Sequence, residues 1–542
     1  MESLLSRGVG FKFTLRTVDG GETVVQLRSA SLLLLSSALI VGAAGLPATA
    51  AAAGPHYVAG AAGVGDPYYP LYGNGGYDVQ HYRLKIAYDP GSDRLAGVAT
   101  ISARTTEGLY RFNLDLQGLK VRSVVVDGAD ARWRRSDDHE LIVTPRRPLA
   151  KGQRFTTVVR YDGVPRTQTI PGFDAEAGFI HTDDGALIAG EPEVAANWYP
   201  VNDHPLDKAS YTFEVTVPAG LQVIANGRLV DHRTRAGNTT WTWEAREPMA
   251  SYLATASVGH YALHSYRARG LRFYDAVDPD LYSESVDPQD PSSPKFGDVV
   301  DESFSHQRRI LTFLAGRFGR YPFSTAGGSV DDYDGLFFAL ENQTRTVYSK
   351  YFFSDPISGD FVIVHENAHQ WYGDSVSVAR WKDVWLNEGF ATYAEWLWSE
   401  DQGLGTAQEN FDFFYNDFVP PDDPFWSIVV ADPGVEHLFD NPIYFRGAMT
   451  LHVLRLAVGD RTFFRILRGW ARHRAGGNGT TEQFIAFAEK ISGQQLDQLF
   501  KDWLYTPGRP VLTQDAAGGS RLQAPSAHVP AAAASELTRY RR

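Results

Sequence analysis

The chain has 542 residues, 43% of them hydrophobic and 13% aromatic, enough to core two or three domains at ~100 to 200 residues each. A formal net charge of -13, with no sustained basic run in the body of the chain, excludes a nucleic-acid partner. With no cysteine, thiol catalysis, thiolate metal sites and disulfide staples are excluded too, so any metal must be held by His, Asp or Glu.

In chain order, Ser29 to Gly54, "SASLLLLSSALIVGAAGLPATAAAAG", places an apolar run after Arg28, a helix-breaking Pro47, and small residues at Ala48 and Ala50. This predicts that residues 1–53 are a secretion signal cleaved near Ala50 to Ala53, and hence an extracytoplasmic protein. The apolar run falls short of the ~20 residues a membrane span needs, so no stable span is expected in the mature chain. Glu2, Asp19 and Glu22 sit ahead of the signal and point to a true start near Val24 or Val25.

Residues 54–76, rich in Gly, Pro and Tyr, read as a linker. From Tyr77 to Tyr261, segments such as "YDVQHYRLKIAYDP", "LAGVATISART", "RFTTVVRYDG" and "SYTFEVTVPAG" alternate apolar and polar residues between Gly, Asp and Pro, predicting an antiparallel β domain. Stretches such as "DESFSHQRRILTFLAGRFG" and "RGAMTLHVLRLAVGDRTFFRILRGWARH" then predict a mostly helical domain over 262–514, an α+β organisation overall. The Ala, Ser and Pro-rich residues 515–542 read as a disordered tail.

Within the helical half, "VIVHENAHQWYGD" lies in a stretch beginning at Asp355, where Pro356 suits a first turn, the apolar residues run nearly all round, and Gly373 offers an end. On such a buried helix His365 and His369 share one face, within reach of one ion, and Glu366 stands beside that edge. This H-E-x-x-H pattern arises by chance in roughly a few per cent of chains with this many histidines, so a third ligand is needed. Glu388 supplies it in "WKDVWLNEGFATYAEWLW", a second helix predicted to end by Gly403, where a carboxylate among Trp385, Leu386, Phe390 and Ala391 needs a partner. Two histidines and one glutamate leave a fourth position open, the ligand count of catalytic zinc.

H-E-x-x-H, an 18-residue gap and "LNEGFA" together resemble the aminopeptidase N family of gluzincins, which includes leukotriene hydrolase. The resemblance runs from about Tyr77 to "DWLYTPGRPVL" at Leu512. It implies a thermolysin-like zinc catalytic domain behind the β domain, without the C-terminal domains of longer members. "FALEN", Phe338 to Asn342, resembles the family's "GAMEN", making Ala339 and Glu341 substrate-binding, with Glu341 on the α-amino group; Phe338 and Leu340 replace its glycine and methionine. "GEPEVAANWYPVNDHPLDKASYTF" resembles the segment carrying a second amine-binding carboxylate, matched here to Glu193, with Glu191 as a close rival. "PIYFRGAMTL" resembles "YEKGA", making Tyr444 the oxyanion donor, with Arg446 in place of the lysine.

The resemblance implies one Zn2+ per chain on His365, His369 and Glu388, Glu366 as general base, and peptides with a free amino terminus as substrates. The expected function is a zinc aminopeptidase acting outside the cytoplasm. A zinc endopeptidase is the alternative on the same metal site, though it has no use for carboxylates aimed at a terminal amine. A lipid-epoxide hydrolase would share the metal but nothing in the residues favours it, and a non-catalytic module is disfavoured because no ligand or base is missing.

Overall fold

Alternation of buried and exposed residues builds the first layer. Tyr77–Asp89 buries every second side chain along most of its length, and so do Arg94–Thr105, Arg154–Gly163 and Ala209–Pro218. These strands form the centre of an eight-stranded sheet, extended by Asn238–Met249 and Arg228–Arg235 on one side and by Lys120–Val126 and Ala129–Asp130 on the other. Its pairings are antiparallel except for Tyr77–Asp89 against Ala209–Pro218, which run parallel, with Tyr82 opposite Tyr211. The structure is a computed structural model describing residues 56–169, 175–512 and 529–540. The expected secretion signal lies outside them.

A second, five-stranded sheet joins Thr167–Thr169, Glu176–His181, Ala186–Ala189, Ala256–Gly259 and Gln222–Ala225. Ala186–Ala189 and Ala256–Gly259 are buried on both faces and therefore carry no alternation in sequence. The first of these runs directly into Gly190 and Glu191.

The part expected to be mostly helical opens with strands. Ala262–Ala268, Leu271–Val277, Thr325–Ala326, Gly328–Val330 and Thr346–Tyr348 make one sheet, into which the long helix α1, Phe296–Phe318, is inserted in sequence. Three helices then carry most of the chemistry-bearing residues: α2, Pro356–His369; α3, Trp385–Gln402; and α4, Asn441–Val458. Asp355 caps α2 by accepting from the backbone N–H groups of Ile357 and Ser358, with Pro356 at the first position, as the sequence predicts. Gly403, in the left-handed region at φ 70°, ends α3. Among the described residues no helix is long and apolar enough to cross a membrane.

Two sequence expectations need correction. Residues 56–76 are not a free linker. Val58–Ala59 pairs with Leu109–Asp115, and Asp66, buried, accepts from the backbone N–H groups of Tyr68, Tyr69 and Trp381. Tyr68 donates to Asp432 at 2.6 Å and accepts from the Gly434 N–H at 2.8 Å, so the segment straps the β domain to the helical one. The tail is not wholly disordered either: Ala531–Tyr540 is a fifth labelled helix, α5, whose Ala532 and Ala533 are buried where it packs against α2 and α3. A run of alanines carries the highest helix propensity, and small side chains allow the close approach.

Helices α3 and α4 touch through glycine. A Cβ on Gly389 would lie 2.9 Å from the Gly447 backbone, and a Cβ on Gly447 would lie 2.9 Å from Gly389 Cα. Only two glycines permit this spacing, which sets Tyr444 on α4 against the Glu388 end of α3. Gly389→Ala should therefore cost about 1 to 3 kcal/mol by overpacking and lower activity with it. Thermal unfolding beside an activity assay checks this, and a variant with unchanged Tm would show that the helices tolerate separation.

Candidate active site

The sequence-predicted ligands converge. His365 Nε2 and His369 Nε2 lie 3.3 and 3.4 Å from Glu388 Oε2, and all three side chains are buried. Each histidine is oriented through its other nitrogen: His365 Nδ1 is 2.7 Å from Glu395 Oε1, and His369 Nδ1 is 3.0 Å from the Tyr372 carbonyl oxygen. A carboxylate and a carbonyl can only accept, so both Nδ1 atoms carry a hydrogen, and in the neutral ring each Nε2 is the atom left to ligate a metal.

Burial opposes charging these imidazoles, but Glu388 outweighs it and holds both above the usual histidine range, so without a metal they donate to Glu388; once neutral, both Nε2 lone pairs and the Glu388 oxygen converge where a cation fits. The separations fit one: tetrahedral bonds of about 2.0 to 2.2 Å give ligand–ligand edges of roughly 3.3 to 3.6 Å. The residues present therefore fit zinc, with nitrogen and oxygen donors and room for a fourth ligand.

Glu395 was missed in the sequence reading. It lies seven residues after Glu388 on the same helix, two turns along the same face, and that spacing was the available signal.

Around the ligands is a cavity of about 80 Å³ bounded by Glu191, Ala339, Glu341, Glu366 and Tyr444, with Phe337, Phe338 and Phe352 closing it. Burial pushes the Glu366 carboxyl up to about 7, partly offset by His365 and His369. Tyr444, half-buried, lies over His365 with ring centroids 6.2 Å apart.

The segment carrying Glu341 is fixed by mutual backbone hydrogen bonds between Leu340 and Val347, and by Gln370, the residue after His369, which donates to the Glu341 carbonyl at 3.1 Å. Glu341 Oε1 accepts from Tyr252 at 3.0 Å. Leu340 faces the other way, into a core with Ile180, Leu187 and Val347, so of the two departures in "FALEN" only Phe338 shapes the cavity.

Glu193 does not reach the cavity. It turns to His139, with Oε1 3.3 Å from Nδ1, and the carboxylate at the cavity wall is Glu191. Burial and the Glu341 charge push the Glu191 carboxyl well above its usual range against the opposing pull of His369, and its Oε2 has no hydrogen-bond partner among the described residues. The two glutamates stand two positions apart in an irregular loop, where sequence gives no period to say which side chain turns inward. Arg446 also points away from the site, donating to the carbonyls of Trp426, Ile428, Asp502, Trp503 and Thr506 and so pinning the end of the domain to α4.

Comparison with known proteins places these features. Residues 78–253 match the profile of the Peptidase M1 N-terminal domain, and residues 337–503 match that of the Peptidase family M1 domain. The chain is 25% identical over 421 residues to "Probable aminopeptidase 2" of Sulfurisphaera tokodaii, covering 74% of this chain and 50% of that one. To "Aminopeptidase N" of Streptomyces lividans it is 28% identical over 390 residues, 66% of this chain and 43% of that one. The chain thus spans about half the length of the curated relatives it matches. The crystal structure of an M1 zinc metallopeptidase from Deinococcus radiodurans superposes with a TM-score of 0.72 at 30% identity, covering 83% of this chain and 100% of that one. A mutant of that peptidase was solved with a Tyr-Ser-Ala substrate bound.

Removing the Glu395 acceptor should loosen His365 without deleting a ligand. Glu395→Gln is expected to weaken metal affinity about 10- to 100-fold, measured by competition with a chromophoric chelator. Unchanged affinity would mean that His365 is held by packing alone.

Proposed function

The chain belongs to the M1 peptidase family, with that family's β domain and helical catalytic domain, and from this we propose that it is a zinc aminopeptidase removing the first residue from peptides with a free amino terminus. The observation that carries the proposal is the pair of buried carboxylates, Glu191 and Glu341, on the wall of a cavity that no lysine or arginine among the described residues lines, beside the metal residues. A substrate ammonium there neutralises both, and holds the first peptide bond against His365, His369 and Glu388. An endopeptidase binding a chain in mid-sequence would bring no ammonium to these two carboxyls.

Zinc held by the three ligands would acidify the attacking water and polarise the scissile carbonyl. Glu366, one residue from His365, takes the proton of that water and passes it to the leaving amine. The Tyr444 hydroxyl donates to the oxygen on which negative charge develops. Phe338 and Phe352, partly buried, and the exposed Phe337 add apolar surface to the cavity wall, which lowers the local dielectric around these interactions.

Glu366→Gln should retain the metal and lose about 10²- to 10⁴-fold in kcat, and Tyr444→Phe about 10²- to 10³-fold. Elemental analysis beside kinetics separates these losses from loss of metal. The reading itself is tested by kcat/KM for free and amino-acetylated forms of one peptide. A strong preference for the free amine, reduced at least about tenfold by Glu191→Ala and by Glu341→Ala, is expected. No preference in the unmodified protein would make it an endopeptidase.

A further inference from the structure

A second cluster of ionisable side chains is buried in the β domain. Asp115, Glu140, Glu193 and Asp203 are each no more than 4% exposed. His139 lies among them, Nε2 3.1 Å from Asp115 Oδ1 and Nδ1 3.3 Å from Glu193 Oε1. One donor atom from each of Asp115, His139 and Glu140 falls within 4.8 Å of the others. Both oxygens of Glu140 are buried without a hydrogen-bond partner. Arg135, the nearest guanidinium, donates instead to the carbonyls of Leu116 and Asp138. Four carboxylates therefore gather around one imidazole, with the Arg135 charge reaching Glu140 but not bonded to it, and a buried carboxylate without a hydrogen-bond partner is retained only where something positive reaches it.

We propose that Asp115, His139 and Glu140 hold a second divalent cation, zinc or manganese, through His139 Nε2, with Glu193 at the opposite ring nitrogen orienting the imidazole. An imidazole nitrogen among carboxylate oxygens selects a first-row transition ion over calcium or magnesium, which favour oxygen alone. The site is already framed. Asn74 donates to Asp115 Oδ1 at 2.9 Å, the Asp203 N–H donates to Oδ2 at 2.7 Å, and Tyr72 stacks on His139 at 5.8 Å between ring centroids. The His139 side chain keeps 18% exposure, which leaves an entry path. The ion fixes the His139 ring, which carries Tyr72 of the strap on its face and Glu193 at its other nitrogen, and Glu191 is two residues from Glu193 on that loop. Occupancy thereby positions the carboxylate that faces the active-site cavity.

The rival occupant is a set of protons, and metal content separates the two. Unmodified protein, dialysed after exposure to Zn2+, should retain two equivalents by elemental analysis. Glu140→Gln should retain one, keep the catalytic metal, and raise KM more than it lowers kcat. Metal-stripped protein carrying His365→Ala and His369→Ala, with its fold checked by circular dichroism, should still bind one Zn2+ or Mn2+ by calorimetry. Adding Asp115→Asn should weaken that binding about 10- to 100-fold. One equivalent in the unmodified protein, or binding indifferent to both Glu140→Gln and Asp115→Asn, would overturn the proposal.

Discussion

The structure is organised around negative charge that has been taken out of water. Glu191, Glu341, Glu366, Glu388 and Glu395 are all no more than 8% exposed, and within their common site the chain provides only His365 and His369 against them. Burying so many carboxylates is costly unless cations are supplied, and the fold supplies too few. A dication at the three ligands and an ammonium at Glu191 and Glu341 complete the balance, so the metal and the substrate are both components the architecture requires. The same constraint gives directionality, because only the end of a peptide chain carries the ammonium.

Holding those side chains together falls to a few unusually close or buried contacts between elements. Gly389 against Gly447 brings α3 and α4 together, and Gln370 links the end of α2 to the segment of Glu341. Lys208, from the β domain, donates to the carbonyls of Asp374, Ser375 and Gly477, locking the turn that follows His369. Buried Arg345 donates to carbonyls of Ala225, Gly227, Tyr274 and Ala326, joining strands from the β domain and the catalytic sheet. Gln370, Lys208 and Arg345 each satisfy carbonyls outside regular ladders, which stiffens the segments that carry them.

Much of this was legible in the sequence where periodicity carries information. The histidines share a helix face because residues four apart must, and half-buried strands such as Tyr77–Asp89 announce themselves by alternation. Strands buried on both faces, such as Ala186–Ala189, have no such signature. Glu191 and Glu193 could not be ordered because an irregular loop has no period, and the fold turned Glu193 toward His139. The strap at residues 56–76 looked like a linker because Gly, Pro and Tyr are common in linkers, while its docking depends on partners hundreds of residues away, Asp432 among them. Glu395 was visible as a heptad neighbour of Glu388 but has no motif to draw attention to it.

The central claim, that the cavity is built for a cation beside the metal, is tested most directly by two small competitors of one shape. Leucinol and 4-methylpentane-1,2-diol differ only in ammonium against hydroxyl, and their inhibition constants can be compared near neutral pH on metal-loaded protein. The pair of Glu191 and Glu341 predicts that leucinol binds about tenfold more tightly or better, with the advantage lost in a variant neutralised at both positions. Equal inhibition by the amine and the diol would contradict the account.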